Sequence, residues 1–453
     1  MSTVITTQNP FNQEILKTYN IIEEGQLEDV VQQAEATFLE WRNFKIKKRS
    51  KLLKTLKRLL LEQKEHFASL MAEEMGKPFI QGIGEIEKCA WLCDFYRKNA
   101  KDFLADDVIK TEAKESFISY DPLGIILGIM PWNFPFWQAL RFAVPTLTAG
   151  NTIILKHASN VSGCAIEIEK LFIDAGYPKG CFNTIIANHN QVETLIADHR
   201  IKAISLTGSE VAGRKIAEIS GRHLKKCVLE LGGNNACIVL NDANIDDLID
   251  TMVNARMQNT GQSCIAAKRF IVEAGIYDDF LQKFQDKVSE LQPGNPKDPS
   301  TQIGVLARPD LAQELEQQVN DSIKLGAIVT YGNKRKDSYY QPTIITNVSP
   351  NMPVFKEETF GPVAAIIKAQ NKEEAYKLAQ NSKFGLGTMI FTKDTNDALK
   401  RITDIEDGAF FINEMVKSDP RLPFGGTKAS GYGRELSQEG ILEFVNKKTV
   451  YLK

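Results

Sequence analysis

The chain has 453 residues, which is too long for one hydrophobic core and predicts two or three domains. Its 55 basic and 57 acidic residues nearly balance, so the net charge is −2 at pH 7. That balance excludes a general nucleic-acid or anionic-membrane binder, which needs a basic surplus or stripe.

The first 110 residues are predicted to be mostly helical after a short β-like opening. Residues 50–75 carry leucines at helical spacing, namely Leu52, Leu53, Leu56, Leu59 and Leu60. The pattern changes at residues 116–130 to two extended runs, "SFISY" and "GIILGIM", which are separated by Asp121 and Pro122. This arrangement predicts a β-hairpin. Neither run approaches the roughly 20 apolar residues of a membrane-spanning helix.

Strands and helices alternate from residue 152 onward. "TIILKH" is predicted as a strand, and Asn160 is predicted to cap the helix that follows it. "CFNTIIA", "IKAISLTG" and "KKCVLELGG" are the next strands, with the helical stretches "QVETLIADH" and "SEVAGRKIAEIS" between them. Such alternation predicts an α/β fold with a parallel sheet wound on both faces.

A second alternating series runs to about residue 430. Its predicted strands are "AAKRFIV", "PTIITNV", "PVAAIIKA", "GTMIFT" and "GAFFIN". The final "KKTVYLK" reads as a lone strand without a local partner, which must pair elsewhere, for example with a neighbouring subunit.

The seven cysteines form an odd set without disulfide-framework spacing, which is typical of reduced thiols in the cytoplasm. No CxxC pair occurs and the five histidines are scattered, so we expect no metal site. The N-terminus has neither a basic region nor an apolar core of a secretory signal, and we expect a cytoplasmic protein.

Three stretches contain residue types that suit metal-free nucleophilic catalysis. "NTGQSC" places Cys264 behind a small polar turn, where its backbone NH and sulfur can be accessible. Glu230 ends the apolar strand of "LELGG", either as an acid–base group or as a capped carboxylate. Asn133 in "MPWNFPFWQALR" can donate to an oxyanion, although a packed aromatic turn is the better explanation of this stretch taken by itself. A thiol, a base and an oxyanion donor are less expected together than any one alone.

A fourth stretch, "SLTGSEVAG", ends a strand and opens a helix with Gly208, Ser209 and Gly213. A helix N-terminus offers free NH groups and a positive dipole end, which suit a phosphate. The GxGxxG pattern is absent, so a plain tight turn remains an alternative at this point.

Taken together, these stretches resemble the aldehyde dehydrogenase superfamily. "PWNFP", "TGS" followed by Gly213, "ELGGNN", "NTGQSC", "EETFGPV" and "PFGGTKASGYGRE" all stand in the family's order. The separation between Glu230 and Cys264 also matches the family, and the resemblance covers essentially the whole chain.

The resemblance implies a role for each catalytic candidate. Cys264 is similar to the nucleophile that attacks the aldehyde, and Asn133 with the Cys264 backbone NH resembles the oxyanion hole. Glu230 resembles the base that activates water for hydrolysis of the thioester. The implied cofactor-binding residues are Trp132, Lys156, Ser159, Gly208, Ser209, Gly213, Leu231, Glu358 and Phe360.

The resemblance also implies an architecture. We expect a Rossmann-type NAD(P)-binding domain over residues 1–111 and 128–231, and an α/β catalytic domain over residues 232–432. A small β oligomerisation arm is expected over residues 112–127 and 433–453. A homodimer is the minimum expectation, and a homotetramer is compatible with the same arm.

One departure from the family's common pattern concerns the cofactor. Many NAD-using members have Lys-Pro-x-Glu where this chain has "KHAS", residues 156–159. A glutamate would repel a 2′-phosphate, whereas Ser159 can donate a hydrogen bond to that phosphate and the charge of Lys156 attracts it. We therefore expect NADP to be used in preference to NAD.

The compact length, "LKHASNVSGCA" and "KSDPRLPFGG" look closest to the bacterial succinate-semialdehyde dehydrogenases. Their substrate has a distal carboxylate, and Arg141, Trp137 and Ser418 are the candidates to bind it. A purely structural ion pair at Arg141 is the alternative. Oxidation of another ω-carboxylate aldehyde such as glutarate semialdehyde, broad specificity, a CoA-acylating reaction and a catalytically silent homologue are the rival functions. Glu230 argues against the CoA-acylating reaction, and the retained Cys264 and Glu230 argue against the silent homologue.

Overall fold

The computed structural model describes residues 3–453 as helices packed around two large β-sheets and several small ones. The strands are β1 (Val4–Gln8), β2 (Ile15–Asn20), β3 (Asp107–Val108), β4 (Glu115–Pro122), β5 (Ile125–Met130), β6 (Thr152–His157), β7 (Phe182–Ile185), β8 (Ile201–Thr207), β9 (Lys226–Glu230), β10 (Asn235–Val239), β11 (Ala267–Glu273), β12 (Ile328–Tyr331), β13 (Arg335–Lys336), β14 (Tyr339–Tyr340), β15 (Thr343–Thr346), β16 (Val363–Ala369), β17 (Phe384–Gly385), β18 (Thr388–Phe391), β19 (Phe410–Ile412), β20 (Thr427–Lys428), β21 (Gly431–Tyr432) and β22 (Val445–Leu452).

The helices separate most of these strands along the chain, as the sequence predicts for an α/β fold. They are α1 (Glu24–Trp41), α2 (Ile46–Glu62), α3 (Lys64–Met75), α4 (Phe79–Phe103), α5 (Pro135–Ala149), α6 (Ser162–Asp174), α7 (His189–Ala197), α8 (Glu210–Arg222), α9 (Ile245–Met257), α10 (Tyr277–Ser289), α11 (Pro309–Lys324), α12 (Pro353–Lys356), α13 (Lys372–Gln380), α14 (Thr395–Lys400) and α15 (Ser437–Leu442).

The predicted helical N-terminal region is confirmed. The span of residues 50–75 contains parts of two helices, α2 and α3, which meet at Gln63. Leu53, Leu56 and Leu60 are fully buried because they lie on the face of α2 that joins the main hydrophobic core. These helices form the outer wall against which α4 and α5 pack.

The first large sheet has six strands in the order β21-β9-β8-β5-β6-β7. Strands β5 to β9 are parallel, and β21 is antiparallel to β9. The chain proceeds from β5 outward to β7 and then restarts on the other side with β8, so the strand order reverses beside β5. In open α/β sheets, ligands bind at the carboxyl ends of the strands next to such a reversal.

The second large sheet has seven strands in the order β12-β15-β16-β11-β10-β18-β19. All neighbours in it are parallel except β12 and β15, which are antiparallel. The strands predicted from the sequence are β11, β15, β16, β18 and β19. The sequence patterns did not identify β10, a five-residue, wholly buried strand that follows directly on the glycines of "ELGG".

The predicted hairpin at residues 116–130 is wrong. Strand β4 belongs to a three-stranded sheet with β3 and β22, whereas β5 lies in the six-stranded sheet. The terminal strand β22 does find a partner within its own chain, since it pairs with β4 along its whole length. Pairing over long sequence separations leaves no local pattern. The predicted domain boundary between residues 127 and 128 falls inside β5, and the other boundaries stay predictions.

The predicted cap at Asn160 is also wrong. A short 3-10 turn precedes α6, and no side chain next to it in sequence caps the helix. The carboxylate of Glu74 accepts instead from the backbone NH groups of Gly163 and Cys164, at 2.8 and 2.9 Å. The orphan NH groups of this helix end are therefore satisfied from another helix, α3.

Among the described residues, none of the helices combines the length and the apolar character that crossing a bilayer requires. Within residues 3–453 there is likewise no group of three or more His, Cys, Asp or Glu side chains arranged to hold a metal ion.

Candidate active site

Cys264 follows a turn with three consecutive residues in the left-handed region of the backbone. The φ angles of Asn259, Thr260 and Gly261 are 55°, 54° and 75°. A left-handed residue other than glycine costs about 1–2 kcal/mol. At Gly261 a side chain would also collide, since its Cβ would lie 2.3 Å from the carbonyl oxygen of Gly361. We call residues 258–264 the Cys264 loop, and its conformation requires support from outside.

Two buried cations provide that support. Arg256, at the end of α9, donates to the carbonyl oxygens of Gly261 at 2.7 Å and Ala267 at 3.1 Å. Lys268, in β11, donates to the carbonyl oxygens of Ser263 and Cys264, both at 2.7 Å. Burial lowers the pKa of both side chains, that of Arg256 to about 9. Hydrogen bonds from desolvated charges are strong, so the backbone is fixed on both sides of Cys264.

The sulfur of Cys264 differs from the other thiols of the chain. Six cysteines are buried, whereas Cys264 is partly exposed. Its pKa is raised to about 11, chiefly by desolvation, while the charges of Lys268 and Arg141 act to lower it. Near neutral pH the side chain is therefore a thiol, and it needs a base to become a nucleophile.

Asn133 is attached to the Cys264 loop. Its Nδ2 donates to the carbonyl oxygen of Gln262 at 3.1 Å, and Asn259 donates to the Asn133 carbonyl at 2.7 Å. The helix that begins just after Asn133, α5, has its first NH groups bound by Glu85, which accepts from Phe136 and Trp137 at 2.9 and 2.8 Å. Asn133 is thus held between two elements, the Cys264 loop and α4, close to Cys264.

Glu230 ends β9 with a carboxyl group that is 2 % exposed and has no hydrogen-bond partner among the described residues. Its Oε1 lies against Gly425, where an added Cβ would be 2.8 Å away. Burial raises the pKa of Glu230 well above its usual range, and the nearby charge of Glu435 raises it further. The Arg141 guanidinium acts to lower the pKa of Glu230, but it also forms an ion pair with Glu435. The charge of Arg141 is therefore shared between the two carboxyl groups.

A cavity of about 580 Å³ opens onto Cys264. Its walls include the three predicted substrate residues, Trp137, Arg141 and Ser418, as well as Lys88 from α4. The structure thus brings these three together with the sulfur. Asn133 and Glu230 are both buried and are not among the described residues that line the cavity.

Both explanations offered for Arg141 describe part of what the structure contains. The side chain lines the cavity and also pairs with Glu435, and its guanidinium stacks 4.6 Å from the ring centre of Phe424. Its charge is therefore partly compensated before any substrate enters.

The predicted cofactor residues follow the carboxyl ends of three neighbouring strands. Trp132 comes after β5, Ser159 after β6 and Gly208 after β8. Ser159 is exposed, and Lys156 is half-buried, which lowers the pKa of its amine. The nearest atom to an added Cβ at Gly208 would be 4.0 Å away, so open space lies above this turn.

The other two residues of the "TGS…G" pattern, Ser209 and Gly213, stabilise α8 and its packing. The Ser209 hydroxyl caps this helix by accepting from the NH of Ala212 at 3.3 Å. A Cβ on Gly213 would lie 2.5 Å from Leu231, so only glycine lets α8 approach the end of β9. Both observations fit a tight turn, the alternative that the sequence left open. Direct contact of Ser209, Gly213 or Leu231 with a cofactor stays a prediction.

Glu358 and Phe360 connect the end of the six-stranded sheet to the Cys264 loop. Glu358 Oε1 accepts from the Gly233 NH at 3.1 Å and from Lys268 at 3.0 Å. Phe360 meets Trp132 edge-on, with 5.7 Å between the ring centres. Lys268 therefore contacts both the Cys264 carbonyl oxygen and the carboxylate predicted to hold the nicotinamide riboside.

Sequence patterns missed several residues of this site, namely Lys88, Arg256, Lys268 and Glu435. The adjacent cations of "AAKRFIV" are a usable signal, because a lysine and an arginine inside an apolar strand must find buried acceptors. Lys88 offers no such signal, since charged residues are normal on the exposed face of a helix.

Comparison with known proteins agrees with this geometry. A model of the aldehyde dehydrogenase family matches residues 1–450. The chain belongs to the aldehyde dehydrogenase family. The family explains the α/β architecture and the enzyme class, an NAD(P)-dependent oxidoreductase, and confirms the resemblance recognised in the motifs.

Curated relatives within the family are similar over their full lengths. A protein of Synechocystis named probable succinate-semialdehyde dehydrogenase [NADP(+)] is 46% identical over 451 residues, which cover 99% of each chain. Succinate-semialdehyde dehydrogenase [NADP(+)] 1 of Mycobacterium tuberculosis is 43% identical, again over 99% of each chain.

Solved aldehyde dehydrogenase structures share the fold closely. The structure of Gox0499, described in terms of cofactor and substrate selection, superposes with a TM-score of 0.98 at 40% identity and covers all of both chains. Succinic semialdehyde dehydrogenase of Streptococcus pyogenes, in complex with NADP+, superposes with a TM-score of 0.97 at 35% identity and covers 99% of each chain.

Proposed function

We propose that the protein oxidises succinate semialdehyde to succinate with NADP as the preferred cofactor. The observation that carries this proposal is the cavity at Cys264, whose walls combine the nucleophile with Arg141, Lys88 and Ser418. A cavity with cationic and hydroxyl walls suits an aldehyde with a distal carboxylate. The printed names of the Synechocystis and mycobacterial relatives support the same substrate and cofactor.

The residues at the rim of the six-stranded sheet fit a nicotinamide dinucleotide with a 2′-phosphate. Lys156 supplies a cation and the exposed Ser159 supplies a hydroxyl donor. Residues 156–159, "KHAS", include no acidic side chain that would repel the phosphate. The open space above Gly208 lies at the N-terminus of α8, where NH groups and the helix dipole favour phosphate. A nicotinamide cofactor bound there would supply the hydride acceptor for oxidation of the aldehyde carbon. Glu358 and Phe360 would hold its nicotinamide end.

Cys264 supplies the covalent chemistry in the proposed mechanism. Glu230 accepts the proton of the Cys264 thiol and passes it to solvent. The resulting thiolate adds to the aldehyde carbon, and the carbonyl π-electron pair moves to the oxygen, giving the anion of a thiohemiacetal. Asn133 Nδ2 and the Cys264 NH are the donors proposed for this oxyanion. The cations Lys268 and Arg141 favour the thiolate electrostatically, although burial opposes it. The carbon remains bonded to sulfur as a thioester after its oxidation.

Glu230 acts on water in the proposed second half. It accepts a proton as the oxygen of water attacks the thioester carbon, the C–S bond breaks, and Cys264 leaves as the thiolate. The raised pKa of Glu230 makes it a stronger base than an exposed carboxylate. Since Glu230 is buried and does not line the cavity, we expect its side chain to turn toward Cys264 during this step.

A panel of aldehydes assayed with both nicotinamide cofactors tests the proposal. We expect the highest kcat/KM with succinate semialdehyde and NADP, with glutarate semialdehyde as the matched longer acid and butanal as the uncharged control. Cys264→Ala serves as the blank. A higher kcat/KM for butanal, or a tenfold preference for NAD, would overturn the proposal.

We further propose that the three-stranded sheet joins subunits. Strand β22 pairs with β4 on one side only, and Tyr451 and Leu452 near its end are exposed. An edge strand of eight residues is a ready template for a second chain. Sedimentation should show a dimer or tetramer, and truncation of residues 447–453 should dissociate it. A monomeric full-length chain would contradict this.

A further inference from the structure

Four cations line the cavity at Cys264, and three of them already have a carboxylate partner. Arg141 pairs with Glu435, Lys417 with Glu414 and Arg421 with Asp419. Lys88 differs, because among the described residues no carboxylate oxygen lies within 4.0 Å of its Nζ.

The hydroxyl of Ser418 is bound in a way that leaves its proton available. Lys88 Nζ donates to Ser418 Oγ at 2.8 Å, and Trp137 Nε1 donates to the same oxygen at 3.1 Å. A hydroxyl has two acceptor sites and one donor, so both acceptor sites are used by protein groups. The O–H of Ser418 and the remaining N–H groups of Lys88 are donors that require an acceptor.

The position of Lys88 is fixed by its surroundings. Its ammonium lies 4.2 Å from the ring centre of Trp137, within range of a cation–π interaction. The charges that act on it come from Glu85 on its own helix, from Arg141 on α5 and from Asp419, and the Arg141 charge repels it. Lys88 is thus a partly buried cation held over an aromatic wall without a neutralising partner of its own.

We propose that Lys88 and the Ser418 hydroxyl together bind the distal carboxylate of the substrate, and that Lys88 determines the preference for acidic aldehydes. This inference rests on the proposed function, a short aldehyde with a terminal carboxylate. Arg141, whose charge is shared with Glu435, then has the smaller part in recognising that carboxylate. A donor cluster with no acceptor of its own selects an anion over an alkyl chain end.

The same site gives a pH dependence of substrate binding. Burial and the charge of Arg141 lower the pKa of Lys88 to about 8, although the charges of Glu85 and Asp419 act in the opposite direction. The wild-type KM for succinate semialdehyde should therefore rise above about pH 8, as the ammonium loses its proton. The KM for butanal should not follow that titration.

The test compares Lys88→Met with Lys88→Arg, using the ratio of kcat/KM for succinate semialdehyde to that for butanal. We expect Lys88→Met to lower this ratio roughly 10- to 100-fold, mainly through KM, because a charged hydrogen bond is lost. Lys88→Arg, which keeps the charge, should recover most of the ratio and keep KM flat above pH 8. Lys101→Met, an exposed lysine of the same helix, is the matched control.

The competitive inhibition constant of succinate gives a second readout that does not depend on turnover. We expect it to rise in Lys88→Met and in Ser418→Ala, and to stay near wild type in Lys101→Met. An unchanged ratio together with an unchanged succinate constant in Lys88→Met would overturn the inference. If the wild-type enzyme itself prefers butanal, the proposed function fails instead, so the two failures are distinguishable.

Discussion

The Cys264 loop and the rim of the six-stranded sheet carry the two halves of the proposed chemistry, and they are held in different ways. The loop is buried, contains three left-handed residues and is fixed by Arg256 and Lys268. The rim at Lys156, Ser159 and Gly208 is open and is shaped by the ends of parallel strands. A nucleophile needs exact placement, whereas a cofactor that must bind and leave in each turnover needs access. Four experiments test this contrast.

Removal of the sulfur should have the largest effect. Cys264→Ala should reduce kcat by about 10⁴-fold or more, because no other group can form the covalent bond to the substrate. NADP binding, measured by titration of the protein's fluorescence, should remain near wild type because the rim is separate from the loop. Loss of cofactor binding in this variant would show that the two regions depend on each other.

Removal of a loop support should come next. Lys268→Met leaves the carbonyls of Ser263 and Cys264 without their donor, and we expect kcat to fall roughly 100-fold, with a loss of about 2 kcal/mol in stability. Stopped-flow rates and urea unfolding measure the two effects. Lys101→Met, which changes an exposed lysine of α4, is the control. A wild-type rate in Lys268→Met would show that the loop holds its shape alone.

A change at the rim should alter the cofactor and little else. Ser159→Glu places a carboxylate where the 2′-phosphate is expected, so the NADP/NAD ratio of kcat/KM should fall roughly 10- to 100-fold by charge repulsion. Because Ser159 is exposed, the melting temperature should stay close to that of the wild type. An unchanged ratio would place the 2′-phosphate elsewhere.

The smallest effect is expected from a change at Glu435, which acts on the pKa of Glu230. The charge of Glu435 raises the pKa of Glu230, and Glu435→Gln removes that charge while freeing Arg141 to stabilise the Glu230 carboxylate. Both changes lower the pKa of Glu230. The acidic limb of the kcat profile, which requires the ionised base, should therefore move to lower pH by about one unit. A shift to higher pH would mean that another group limits the rate.

The local patterns identified a large part of the fold. Ten of the thirteen strands of the two main sheets could be predicted, because buried parallel strands are short apolar runs between helical stretches, whereas β10, β12 and β21 were missed. The motifs of the aldehyde dehydrogenase family also pointed to Cys264, Glu230 and Asn133. Strand β10 was missed because a buried run of five residues after two glycines resembles any short apolar segment.

Errors arose where a partner is distant in sequence. Strand β4 pairs with β22 rather than with β5, and α6 is capped by Glu74 rather than by Asn160. The contact between Lys88 and Ser418 in the cavity could not be predicted for the same reason, because the two residues are 330 positions apart along the chain.

The amino-acid order alone determined the strand–helix alternation, the family and the choice of Cys264 as the candidate nucleophile, because these are properties of short stretches with fixed spacing. Only the folded chain decided which cations are neutralised, which donors lack acceptors and which carboxyl groups have a raised pKa. Those properties depend on burial and on charges brought close from remote positions. Desolvation makes such charges costly, and only the packing of the whole molecule sets how much water each one loses.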